Sequence, residues 1–387
     1  MKPRFITSLE SLQTWCEKAG FKGWDPFDGL NSSVLQSLPV LKDIPLIRLC
    51  WLQAFKHLPI NLRRVFGIPR VYNPKGLALF LSGYCNLYHV DPKPEYRAQI
   101  DKLVDLIISL QSKGWNGACW GYPFDWQARA FFQPKWTPTV VATTYVGYAL
   151  LDAFEVTGDV RLPDIARSAC DFVLKDLNRT ADEHGDFAFS YSPLDKTQVF
   201  NASLLGTRLL SRVYNRTHEP ELADAARRSA AYCCHRQRRD GAWTYGTLPF
   251  HQWVDNFHTG FNLECLHEYE RYTGDTTFRP TVVKGLKYYT STFFTADGKS
   301  KYYDNNLYPI DIHAPAQLVI TLYRLGRIND YRDQADRVLA WTIDQMQDPS
   351  GYFYFQTGRY YTTRIPYMRW AQSWMFFALS CYWRSSK

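Results

Sequence analysis

The feature that most constrains this chain is a turn that it repeats. A glycine is followed by closely spaced aromatic residues in Gly185-Asp-Phe-Ala-Phe-Ser-Tyr191, Asp240-Gly-Ala-Trp-Thr-Tyr-Gly246, Asp297-Gly-Lys-Ser-Lys-Tyr-Tyr303 and Ser350-Gly-Tyr-Phe-Tyr-Phe355. A longer version occupies Gly114-Trp-Asn-Gly-Ala-Cys-Trp-Gly-Tyr-Pro-Phe-Asp-Trp126. The later glycines lie about 53–57 residues apart, a spacing that marks repeated supersecondary units.

Between these turns two kinds of helical run alternate. One is small and apolar with few charges: residues 76–88, 139–156, 200–214, 257–272, 314–325 and 367–382. The other is charged on one face: residues 95–112, 162–177, 221–236, 281–294 and 331–346. A helix that is apolar all round is buried, and one with a polar face lies outside. In the first charged run, Ile100, Leu103, Val104 and Ile107 form the i, i+3, i+4, i+7 stripe of an outer helix. Six inner and five outer helices result. The apolar run Ile44–Lys56 is the expected sixth outer partner, which makes an all-α, (α/α)6 toroid: residues 1–70 close the ring and residues 71–387 form it. Connections from outer to inner helix are long and aromatic, whereas the reverse ones are short, such as Thr157-Gly-Asp159 and Thr273-Gly-Asp275. Long loops carry function more often, so the site is expected where the glycine–aromatic loops feed the inner helices.

Composition narrows the partners. Aromatic residues make up 16% of the chain, more than core packing explains where they gather after the glycines. The net charge of +8 favours anionic partners. The basic residues are dispersed, in clusters no longer than Arg236-Gln-Arg-Arg239, which argues against nucleic acid. Nine cysteines without framework spacing, together with an N-terminus that lacks an apolar signal core, predict free thiols and a cytoplasmic location. No apolar run reaches the ~18 residues of a membrane span.

The alternating helices, the asymmetric loops, Asn73-Pro-Lys-Gly-Leu-Ala and the Trp/Tyr turns resemble the six-hairpin glycosidase superfamily and its toroid relatives, which include polysaccharide lyases and glucuronyl C5-epimerases. The resemblance spans about residues 70–387 and is architectural, so it transfers no catalytic residue. It implies a carbohydrate substrate and a cleft across one end of the ring.

The residues themselves supply candidates. Asp125, Asp255, Asp304 and Asp311 stand in or just after the aromatic loops, and glycoside cleavage needs an acid paired with a base or nucleophile. Aspartate is also a common helix N-cap. His251, His258 and His313 lie near the same end. Asp255 and His258 are three apart and share a helix face. A histidine with a tyrosine, among Tyr302, Tyr303 and Tyr308, suits proton abstraction beside a uronate. Trp115, Trp120, Tyr122, Trp126, Trp243, Tyr245 and Tyr303 are expected either to stack on sugar faces or to seal their own hairpins. Arg359, Arg364 and Arg369 are candidates for holding a carboxylate. No metal motif of the H-E-x-x-H kind occurs. The adjacent residues of Cys233-Cys234-His235 diverge on an outer helix, so neither metal nor cofactor is expected.

The expected activity is hydrolysis of a polysaccharide or lipid-linked oligosaccharide containing uronic acids. Lyase or C5-epimerase chemistry, and a non-catalytic glycan-binding role, are the alternatives. Oligomeric state is not set by the sequence.

Overall fold

The computed structural model describes residues 2–128 and 131–387. In chain order its helices are α1 (Pro3–Lys18), the single turn α2 (Ser33–Gln36), α3 (Pro45–His57), α4 (Pro74–Val90), α5 (Pro94–Ser109), α6 (Val140–Thr157) and α7 (Arg161–Lys175). They continue with α8 (Phe200–Thr217), α9 (Pro220–Cys234), α10 (Asn256–Thr273), α11 (Arg279–Thr292), α12 (His313–Arg324), α13 (Arg332–Met346) and α14 (Ser373–Arg384). Short antiparallel ladders trim the loops: β1 (Trp126–Gln127) with β2 (Phe132–Gln133), β3 (Arg179–Ala181) with β4 (Phe187–Phe189), and β5 (Ile310–Asp311) with β6 (Gln356–Thr357) and β7 (Thr362–Thr363).

The helices that are apolar all round pack mainly on other helices. Each of α4, α6, α8, α10 and α12 packs on the next, then α12 on α14 and α14 on α4, so the inner ring closes. The amphipathic helices α5, α7, α9, α11 and α13 each lie outside the inner helix that precedes them. This is the expected (α/α)6 toroid. The last inner helix begins later than expected, at Ser373, after a π-helical turn over Met368–Gln372.

The sixth outer helix differs from the expectation. It is α1, packed on α14 and α13. The helix at Ile44–Lys56, observed as α3, instead joins β1 and a 3-10 turn at Asp28–Asn31. The repeated glycine shows why. Gly241, Gly298 and Gly351 all have positive φ (101°, 89° and 108°). A Cβ on Gly241 would meet the Lys284 carbonyl of α11 at 2.7 Å, and one on Gly298 the Arg337 carbonyl of α13 at 2.5 Å. One on Gly351 would press on the Ser11 carbonyl of α1. Each turn therefore leans on the next outer helix, and α1 takes that place for the last turn. Replacing Gly351 with alanine is expected to cost about 2 kcal/mol or more through left-handed strain and this clash. A lowered thermal midpoint, with early exchange of the α1 amides, would be the readout.

The starts of three inner helices, α4, α6 and α10, are defined by side-chain capping, because the first N–H groups of a helix lack internal partners. Asn73 accepts from Lys75 and Gly76, Thr139 from Ala142, and Asp255 from His258. All these starts lie at the end of the ring fed by the aromatic loops. Further along the same helices, buried charges are held in pairs, as burial of ions requires: Arg212 with Asp152 and Glu155 at 2.7 Å each, and Arg208 with Glu264 at 3.6 Å. All nine cysteines are free thiols. Among the described residues, no helix is long and apolar enough to cross a membrane.

Candidate active site

A cavity of about 500 Å³ opens at the loop-fed end of the ring. The inner helices supply its floor: Lys75 from α4, Val141 from α6, Asn201 from α8, Phe257, His258 and Phe261 from α10, and His313 from α12. Arg369 and Trp370 enter from the π-helical turn before α14. The aromatic loops supply the walls, with Tyr122, Trp126, Tyr191, Tyr245, Trp253, Tyr302 and Tyr303. Leu49, Leu52, Gln53 and Lys56 of α3 complete the lining. The helix expected to close the ring thus borders the cavity instead.

Asp255 and His258 form the best-defined polar unit. Asp255 is buried, and its Oδ1 accepts the His258 backbone N–H at 3.0 Å. Its Oδ2 accepts from His258 Nδ1 at 2.7 Å and from Trp253 Nε1 at 3.0 Å. An ionised carboxylate only accepts, so the imidazole proton sits on Nδ1. His258 Nε2 is left without a protein partner among the described residues, on a ring that lines the cavity. The capping and functional readings of Asp255 therefore coincide: one oxygen ends the helix and the other fixes the tautomer of the histidine.

His313 is held differently. Its ring stacks on Phe257 (4.5 Å, 2° between planes) and leans on Trp374 (4.0 Å). Among the described residues, neither ring nitrogen has a hydrogen-bond partner. Burial, with Lys75, His258 and Arg369 nearby, pushes its pKa well below the usual histidine value, so the ring is neutral. Phe257 lies between the two imidazoles, its centroid 4.5 Å from each. His251, also in the lining, has an unpartnered Nδ1 and a pKa lowered by burial.

Asp311 lies behind the cavity. Its Oδ1 accepts from the His313 backbone N–H and from Trp370 Nε1, both at 2.9 Å, and its Oδ2 from Gln356 Nε2 at 2.6 Å. Burial raises its pKa to about 6 against these hydrogen bonds. Asp311 thus positions His313 and Trp370, with both oxygens occupied.

Other expected site residues lie away from the cavity. Asp125 accepts the Lys135 backbone N–H at 2.7 Å, tying down the β1–β2 hairpin. Asp304 accepts from Tyr288 at 3.0 Å. Trp120 and Trp243 are sealed inside their hairpins. Their indoles donate to the Ile107 and Cys233 carbonyls, in the last turns of α5 and α9, at 2.8 and 3.0 Å. The side chains two residues on, Tyr122 and Tyr245, reach the cavity. Arg359 and Arg364 are exposed on or beside the β6–β7 hairpin. Arg369 does line the cavity, but its guanidinium grips Asp25 at 2.5 and 2.7 Å.

The lining contains no carboxylate among the described residues. Apart from tyrosine phenols, its ionisable groups are basic: Lys56, Lys75, Arg369 and three histidines. Lys75, Lys56, Asn201 and Tyr191 were not expected from the sequence. A lysine in the first turn of a helix that is otherwise apolar on every side was the available signal for Lys75. Among the described residues, the one group of three metal-type ligands within 4.8 Å of one another is Asp182, Asp186 and His235, outside this cavity, with Arg236 3.4 Å from Asp182.

No protein-family model matches the sequence, and no curated protein is similar to it in sequence. Solved structures are similar in fold. Cellobiose 2-epimerase from Bacillus thermoamylovorans matches with a TM-score of 0.63 and 12% identity, over 81% of this chain and 89% of that one. D-mannose isomerase matches with 0.61 and 13% identity, over 81% and 86%. An unsaturated glucuronyl hydrolase specific for heparin matches with 0.59 and 14% identity, over 81% and 87%. The (α/α)6 toroid expected from the sequence is the fold these structures share with the chain.

Proposed function

We propose that the chain is a carbohydrate epimerase that moves a proton at a sugar carbon bonded to a carbonyl or carboxyl group. The observation that carries this reading is a cavity walled by two differently held histidines and, among the described residues, no carboxylate. Hydrolysis by a carboxylate pair needs both acids within reach of the glycosidic oxygen. Here Asp255 and Asp311 stand behind the histidines with their oxygens occupied. General acid–base transfer needs one group ready to take a proton and one able to give it. His313, neutral by burial, takes the proton from carbon. The electron pair moves onto the carbonyl oxygen. His258, oriented by Asp255 through Nδ1, returns a proton to the other face. The reverse reaction exchanges the roles. A cavity of about 500 Å³ suits one or two sugar rings rather than a length of polymer. The epimerase and isomerase among the structural neighbours add support at the level of fold.

The test is incubation with reducing mono- and disaccharides and hexuronates in deuterated water, followed by NMR and mass spectrometry. The expected result is an epimer carrying one deuterium on the inverted carbon. New reducing ends without carbon-bound deuterium would replace this reading with hydrolysis. Binding of a sugar without exchange would leave a glycan-binding protein.

A further inference from the structure

The cavity holds a cation for which the described residues supply no anion. Lys75 is 5% exposed, in the first turn of α4, and lines the cavity. Its ammonium lies over the rings of Tyr145 (4.6 Å), Trp374 (5.2 Å) and Phe261 (5.5 Å). Among the described residues, no carboxylate lies within ion-pair distance of it and no hydrogen-bond acceptor meets it. The other charges around it are already matched or of like sign. Arg369 is gripped by Asp25, and Arg208 lies 3.6 Å from Glu264. His313 leans on the same Trp374 and Phe261 rings at 4.0 and 5.6 Å. Burial, with Arg369 and Arg208, pushes the Lys75 pKa well below the usual lysine range, and Asp25 only partly opposes this.

Aromatic faces attract a cation, but they do not replace the hydrogen bonds that an ammonium loses on leaving water. A buried ammonium aimed into a cavity walled by basic groups lacks one component, an acceptor of negative charge. We infer that the sugar this cavity takes carries an anionic group, a carboxylate or a phosphate, and that Lys75 Nζ receives it. The inference rests on the cavity being the sugar site proposed above. It names the substrate class and places the anion beside His313. Lys56, half-buried in the same lining with its ammonium over Phe27 at 5.0 Å, is a second positive charge nearer α3.

The test is binding of galacturonate, glucose 6-phosphate and glucose, by calorimetry, to the intact protein and to Lys75→Met and Lys75→Gln. Methionine keeps most of the length of the side chain and can still pack on the three rings. The intact protein is expected to bind at least one anionic sugar about tenfold or more tighter than glucose, the range of one charge-assisted hydrogen bond. Both variants are expected to lose that preference while keeping the thermal midpoint of the parent. Preference for galacturonate over glucose 6-phosphate identifies a sugar acid, and the reverse a sugar phosphate. Equal affinity for glucose, retention of the anion preference in both variants, or no binding of either anion at about 10 mM, would overturn the inference. Its failure is distinct from failure of the epimerase reading. Carbon exchange on glucose without anion preference would sink only the anion site. Tight Lys75-dependent binding without carbon exchange on any sugar would sink only the chemistry.

Discussion

Replacing His258 with asparagine is expected to lower kcat for epimerisation by about 10²–10⁴-fold, the usual contribution of a positioned acid or base. KM should change little. The side chain sits at the start of α10, and its backbone N–H still caps onto Asp255 in the variant. Asparagine keeps a donor toward Asp255 but carries no group that titrates. The fold should therefore survive and the loss should be chemical. Replacing Asp255 with asparagine is expected to act in the same direction. An amide nitrogen there no longer accepts the Nδ1 proton, so the tautomer that leaves Nε2 free is not fixed. The Trp253 indole also loses part of its acceptor. Retention of turnover within tenfold by His258→Asn would remove this residue from the mechanism.

The second large effect separates activity from stability. His313 is buried with both ring nitrogens unpartnered among the described residues. An unsatisfied buried polar group costs about 1–3 kcal/mol, and sites retained at such a cost are often functional. His313→Leu is expected to abolish epimerisation and yet leave the protein as stable as its parent or more so at pH 7. The dependence on pH gives a sharper reading. The folded protein holds this histidine well below its ordinary 6.5, so below pH 6.5 the unfolded chain binds a proton that the native state refuses. Stability from His313 is therefore full above pH 6.5 and is lost as pH falls, by up to about 1.4 kcal/mol per pH unit. Lys75, His258 and Arg369, the groups facing the ring, deepen the shift. Asp311 works the other way. Its pKa is raised to about 6, so the native state binds its proton more tightly and gains stability as pH falls through about 6 towards 4. Denaturant titrations of parent and variant from pH 5 to 8 should diverge below 6.5, with the variant losing less. Parallel curves would mean that His313 is not held neutral.

How much of this was legible follows from how local each signal is. The turns were readable because glycine with positive φ and its aromatic successors recur within one hairpin. The alternation of inner and outer helices was readable because burial on all sides shows in composition. The identity of the closing helix was not. Both α1 and α3 carry an apolar face at about the length of an outer helix, and the choice depends on Ser11 meeting Gly351, a contact far apart in the chain. Asp255 and His258 were readable as a unit because three residues separate them on one helix. Trp120 and Trp243 show the limit at the site. Their positions in the loop match those of Tyr122 and Tyr245 two residues on, but each indole N–H finds a carbonyl at the end of the preceding outer helix, which the phenols do not reach. The lack of carboxylates in the cavity was hidden for a related reason. Asp125, Asp255, Asp304 and Asp311 all stand in the right loops, and their side chains turn to backbone, indole, phenol and amide donors instead. Arg359 and Arg364 belong to a hairpin that projects outwards, so their replacement should leave KM unchanged.

The most direct measurement of the histidine pair is deuterium exchange from solvent into each of two epimeric sugars, tested separately, by His258→Asn and by His313→Leu. Each epimer presents its proton to a different imidazole. The account requires net epimerisation to vanish in both variants, while each still exchanges the carbon proton of one epimer, and a different one in the two cases. Exchange of both epimers by either single variant, or normal epimerisation in either, would contradict it.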